Sequence, residues 1–173
     1  MEVNIWVNRE ERQKRLKEIL EVRRQKEIIQ ERIEKENEVK ALLQEVFGES
    51  EVFEIQDSNK SDLIVEDFSA NFPFTFWNRI DWGNVNVNQI EVVDQEITSI
   101  PSLLISKGLD TSTPIYIFWG YDSHPCIKTK LTNELLSNIE EIVWLGSDLY
   151  IYCLTQKYVI EFFHDNTVNI GWV

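Results

Sequence analysis

The sequence predicts an α+β protein: a long charged N-terminal helix, or helix pair, packed on or projecting from an antiparallel sheet that ends in a C-terminal β-meander. Three observations carry this. Residues 9–47 contain no Gly and no Pro and consist largely of Glu, Lys, Arg, Gln, Leu and Ile, mostly good helix formers. The last third holds closely spaced β-type runs whose connectors are only three or four residues long. Connectors that short force antiparallel neighbours, because parallel pairing needs a crossover. Finally, 43% hydrophobic and 12% aromatic residues in a chain of 173 provide for a sizeable buried core.

At the N-terminus Val3, Ile5 and Val7 alternate with other residues, a period-two pattern that predicts a short strand. Asn8, followed three positions later by Glu11, reads as a helix cap. The helix then runs from Arg9 to Phe47, with Gly48 as its stop. One piece of that length would span close to ~60 Å, so it projects as an arm or breaks in two, Asn37 being the best internal cap. Val39, Leu42, Leu43, Val46 and Phe47 form an apolar stripe on the second piece. The first piece has only Leu16, Ile19, Leu20, Val22, Ile28, Ile29 and Ile33. Val22, Ile29 and Ile33 share a face, but no regular heptad seam runs through the piece. It reads as a solvated helix with a narrow buried edge, supported by pairs such as Glu31–Lys35 and Glu36–Lys40.

Val52, Phe53 and Ile55 suggest a strand after the helix. Asp57 to Asp62 reads as a polar turn and Leu63-Ile64-Val65 as a short buried strand. Phe72, Phe74, Phe76, Trp77 and Trp82 make an aromatic cluster, best read as core, with 72, 74 and 76 on one strand face. Ile97 to Leu109 looks helical, with Pro101 near its start and Gly108 as a stop. Ile115–Trp119 is a strand bounded by Pro114 and Gly120. Thr132 to Asn138 is a short helix. The runs Ile142–Leu145, Leu149–Leu154, Tyr158–Phe163 and Val168–Val173 follow as strands. The organisation is a helical element, residues 1–48, and an acidic α+β body, residues 49–173, forming one domain overall.

Charge divides along the same line. Residues 1–48 carry eleven Lys/Arg and eleven Glu, whereas residues 49–173 carry six Lys/Arg and nineteen Asp/Glu, so the net −13 belongs to the body. Direct nucleic-acid binding is disfavoured, because phosphate neutralisation needs clustered cations. An anionic membrane is disfavoured on the same ground. A basic protein partner is the natural complement. Candidate contacts are Glu66, Asp67, Asp81, Asp94, Glu96, Asp148 and Asp165. The N-terminus lacks a basic start followed by an apolar run, no stretch reaches the roughly 18 apolar residues of a membrane span, and Cys126 and Cys153 lie far apart. A cytoplasmic location is expected.

Chemistry has few places to reside. Asp122, His124 and Cys126 alternate and would share one face of an extended segment, a thiol with a base and an orienting group. The bland reading is a turn at Pro125 followed by a half-buried Cys. Cys126, Cys153, His124 and His164 lack the paired spacing of a structural zinc site. No nucleotide-binding glycine motif and no nucleophile elbow is present. No cofactor, no metal and no catalytic residue is therefore expected.

Asn138-Ile139-Glu140-Glu141-Ile142, Asp148-Leu149-Tyr150-Ile151-Tyr152, the run Tyr158 to Asp165 and Asn169-Ile170-Gly171 together resemble the C-terminal meander of small acidic bacterial proteins, among them immunity proteins of interbacterial toxin systems. The resemblance covers about a third of the chain. It implies a non-catalytic protein that neutralises a toxin domain, often a basic nuclease, and carries over no catalytic residue. Two alternatives stay open: an enzyme using Cys126 with a histidine, and a structural subunit forming a homodimer through the N-terminal helix.

Overall fold

A computed structural model describes residues 3–75, 79–83, 88–92, 94–120, 124–165 and 167–173, with side chains for all of these except 3–8, 92 and 94–96. Helix α1 runs unbroken from Val3 to Phe47. The strand expected at Val3–Val7, the cap at Asn8 and the break at Asn37 are corrected, since all lie inside it. Extending an existing helix costs far less than starting one, so a five-residue alternation does not resist it. Around Asn37 the Lys40–Glu36 ion pair (2.5 Å) and the Lys35–Glu38 pair (3.5 Å) span the position. Gly48, at φ +56°, ends the helix and returns its N–H to Gln44 O at 3.1 Å, the left-handed stop that glycine adopts most easily.

The two ends of α1 differ. Every side chain from residue 9 to residue 34 is exposed, so the narrow buried edge expected there is corrected: the unbroken helix carries this stretch beyond the packed end that begins at Val39. Val39, Leu43 and Phe47 are buried in the core, the stripe expected at i, i+4 and i+8.

Seven strands form one sheet: β1 Glu54–Ile55, β2 Asn88–Val92, β3 Ile115–Trp119, β4 Ile127–Thr129, β5 Leu149–Cys153, β6 Tyr158–Phe162 and β7 Val168–Trp172. Their order is β1-β4-β3-β5-β6-β7-β2, and every neighbouring pair is antiparallel. The meander is β5, β6 and β7, with Ile151 opposite Ile160 and Ile160 opposite Ile170. β2 closes the far edge. Its sequence, NQIEV, offers too little apolar alternation to read as a strand; its pairing with β7 supplies what its composition does not.

β5 and β6 are buried along their whole length, so both faces of the sheet are covered. Alternation sorts their side chains. Leu149, Ile151, Cys153, Tyr158 and Ile160 meet the end of α1 together with α3 (Ile100–Ser106), α4 (Asn133–Ser137) and α5 (Ile139–Val143). Tyr150, Tyr152 and Val159 meet α2 (Ser58–Asn71) together with Phe72, Phe74, Ile80 and Trp82. The first layer is mainly aliphatic; the second is mainly aromatic.

Two strand expectations are corrected to helices. Leu63-Ile64-Val65 belongs to α2, which starts where the Asp57 side chain accepts from Lys60 N at 3.0 Å. Only Ile64 of that run is buried; Ser61, Ile64 and Phe68 make the inward stripe, a helical spacing masked by three adjacent apolar letters. Ile142–Leu145 is replaced by α5, whose buried residues are Ile139 and Ile142. The helix at Thr132 is as expected, with the Thr132 hydroxyl accepting from Leu135 N at 3.0 Å. The aromatic core reading is met by Phe72, which is buried, and by Phe74 and Trp82, which pack against the aromatic layer. Phe76 and Trp77 lie outside the described residues.

Candidate partner-binding surface

A concavity of about 740 Å³ opens between α1 and α2 over the ends of β3 and β4. Asp62 and Glu66 are one helical turn apart on α2, so they share its outward face. Both are exposed, and among the described residues neither forms an ion pair. Glu31 and Arg32 of α1 stand on the opposite wall. The floor is apolar or neutral: Phe118, Trp119, Gly120, Pro125 and Cys126, with His124 beside them. The cleft is therefore a trough with two carboxylates on the α2 rim, a carboxylate beside a guanidinium on the α1 rim, and little charge beneath.

His124 and Cys126 both line this floor, which makes the thiol's state decisive. Cys126 is buried, its Sγ points to Ser61 O at 3.8 Å, and its N–H donates to Ser61 Oγ at 3.1 Å. Burial pushes the thiol up to about 12. A cysteine so placed stays protonated at neutral pH and is a poor nucleophile. His124 packs its ring 5.0 Å from that of Trp119, with Nε2 3.5 Å from Glu38 Oε2 of α1. Asp122 lies outside the described residues. Among the described residues no group of three or more His, Cys, Asp or Glu could hold a metal ion.

The seven acids singled out from sequence do not gather in one place. Glu66 lines the cleft. Asp67, next to it, accepts from Tyr152 Oη at 2.5 Å and from Lys157 Nζ at 2.6 Å. Burial pushes the Asp67 carboxyl up, but the bonds from Lys157 and Tyr152 and the ammonium charge together bring it below the ordinary carboxylate value. Asp81 is half-buried. Asp148 is fully buried, receiving the His164 N–H at 3.0 Å, and lies 2.9 Å from His164 Nδ1. Asp165 is exposed, held by the Thr167 N–H and hydroxyl and paired with Arg79 at 3.7 Å. The side chains of Asp94 and Glu96 lie outside the described residues.

Sequence reasoning missed Asp62 and Glu31, which complete the rims around Glu66. The i, i+4 spacing of Asp62 and Glu66 was a usable signal once residues 58–71 are helical. It also missed Glu161, fully buried on the aromatic face, which accepts from Ile80 N at 3.0 Å and from Trp82 Nε1 at 2.7 Å. Glu161 fastens the segment 79–82 to the sheet. Beside it, Gly171 lies under the Trp82 ring, where any Cβ would collide.

A second surface lies on the aliphatic side of the sheet, beside the end of β6 and the start of β7. Trp144, just after α5, is 85% exposed. It borders a groove of about 380 Å³ whose wall includes Val143, Phe163 and His164. Large exposed aromatics of this kind are enriched at interface hot spots.

Among the described residues no helix is long and apolar enough to cross a membrane. Compared with known families, residues 40–171 match the family described as CdiI immunity protein EcoliA0-like. That match takes in the packed end of α1 and reaches almost to the end of β7. No curated protein matches the chain.

Proposed function

Because the chain belongs to the CdiI immunity protein EcoliA0-like family, whose members bind and neutralise a toxin, we propose that its target is a basic toxin domain, of which a nuclease is the clearest example, and that the α1–α2 cleft is the contact. One observation carries this reading: a body of net −13 opens a cleft whose α2 rim carries Asp62 and Glu66 and whose α1 rim carries Glu31 beside Arg32. Lys or Arg side chains of the toxin would sit between the rims, with their aliphatic stems on Phe118 and Trp119. The same cations would otherwise hold nucleic-acid phosphate, so the acidic cleft competes for them. Opposed fields also speed encounter. Inhibition by occupancy needs no bond making, in keeping with the protonated Cys126. The two free, buried cysteines support a reducing compartment, the cytoplasm.

Titration calorimetry with the cognate toxin domain tests this. The expected result is tight one-to-one binding that weakens as salt rises and weakens further in Asp62→Asn/Glu66→Gln. Affinity indifferent to both changes would remove the cleft and the charge together from the explanation.

A further inference from the structure

We propose that the exposed stretch of α1 is a self-association element, which pairs antiparallel with the same stretch of a second copy. The family match starts at residue 40, so this stretch lies outside what the family shares and calls for its own account. Between Leu16 and Ile33 seven aliphatic side chains each expose 47–56% of their surface. Four of them, Ile19, Val22, Ile29 and Ile33, fall on a 3-4-3-4 spacing that Lys26 completes. That is two heptads of the pattern by which helices pair, interrupted at its centre by one cation. The N-terminal half of the seam borders a shallow groove, lined by Arg15, Glu18, Ile19, Val22, Arg23 and Lys26.

Charge chooses both the occupant and its direction. Residues 9–26 hold eight Lys/Arg and four Glu, net +4; residues 27–45 hold three Lys/Arg and six Glu, net −3. A second copy in parallel would stack Lys26 on Lys26 and Arg15 on Arg15 along the seam. Run antiparallel, Ile19 meets Ile29 of the other copy and Lys26 lies beside Val22, where its ammonium can reach water. Glu18 and Arg32 then flank the seam together, twice, by two-fold symmetry. The basic start of each helix comes level with the acidic region around Glu36 and Glu38 of the other. The helix dipoles also oppose. The apolar seam is short, so the dimer is weak and concentration-dependent.

Sedimentation equilibrium of the full chain, loaded from about 5 to about 300 μM, should show a monomer passing to a dimer. Val22→Glu/Ile29→Glu should remain monomeric, with thermal unfolding unchanged, because neither residue touches the core. Glu18→Arg should weaken the dimer several-fold, and adding Arg32→Glu should restore it. A monomer throughout overturns the proposal, as does a dimer that survives Val22→Glu/Ile29→Glu. A charge-exchanged double variant that stays weak overturns the antiparallel arrangement. None of these readings involves the toxin.

Discussion

The two faces of the sheet are covered by different chemistry. On the aliphatic face Val39, Leu43 and Phe47 of α1 and the short helices α3–α5 meet Leu149, Ile151 and Ile160, and contacts are almost wholly apolar. On the aromatic face Phe68 lies with its ring centroid 5.0–5.6 Å from those of Phe72, Phe74, Phe118, Tyr150 and Tyr152. Ionisable anchors are threaded through that cluster: Glu161 under Trp82, and Asp67 between Tyr152 and Lys157. The difference teaches where stability should depend on solution conditions. Apolar packing is indifferent to pH, whereas a buried carboxylate is not.

The largest effect should come from the ring at the centre. Phe68→Ala is expected to cost about 3–5 kcal/mol, against about 2–4 kcal/mol for Leu43→Ala on the other face. Urea unfolding of the two variants measures the contrast, and equal losses would erase it. Next, Glu161→Ala should cost about 2–3 kcal/mol by orphaning the Ile80 N–H and the Trp82 Nε1–H, with Trp fluorescence reporting release of residues 79–82.

Smaller, and of opposite sign at the two carboxylates, is the response to pH. Burial raises Glu161 despite the bonds from Trp82 and Ile80. The folded state therefore holds that proton more tightly than the unfolded chain does, and this contribution is fully present below the ordinary Glu range and lost as pH rises through the raised value. Asp67 is lowered, so its contribution is present above the ordinary Asp value and lost as pH falls. Unfolding free energy measured across the carboxylate range should show both slopes. Glu161→Gln should flatten the first and Asp67→Asn the second, while Leu43→Ala should move the whole curve without changing its shape. The smallest effect expected is chemical: Cys126, pushed up to about 12, should alkylate far more slowly in the native protein than a free thiol. Fast alkylation would reopen catalysis at the cleft floor.

Much of this fold was legible because its signals are local. Gly48 marks a helix end, Thr132 caps α4, and the apolar runs with three- or four-residue connectors declare β5 to β7. The failures occurred where a tertiary partner overruled a short pattern. Leu63-Ile64-Val65 looks like a strand until the Asp57 cap and the 61/64/68 stripe are seen together. Ile142–Leu145 looks like one until Trp144 proves exposed. β2 gains its identity from β7. The cleft was only partly readable. Glu66 was named, but in so acidic a chain single carboxylates carry no positional signal, and the matching rim belongs to a helix distant in sequence. Glu161 was hidden for a related reason: in Tyr158-Val159-Ile160-Glu161-Phe162 it reads as the polar residue of an alternating strand, a pattern that ordinarily points to solvent.

Since α1 is continuous, a tilt at its anchored end would carry its exposed end with it as one lever. Ile28, Glu31 and Arg32 wall the cleft, and the anchor begins at Val39. With ~1.5 Å of rise per residue, a tilt of about 10° at Val39 sweeps Arg9 through roughly 8 Å. The movement made by a partner that wedged the cleft open would be magnified at the tip, and a fluorophore pair there and on the sheet would register that occupancy as a change in distance.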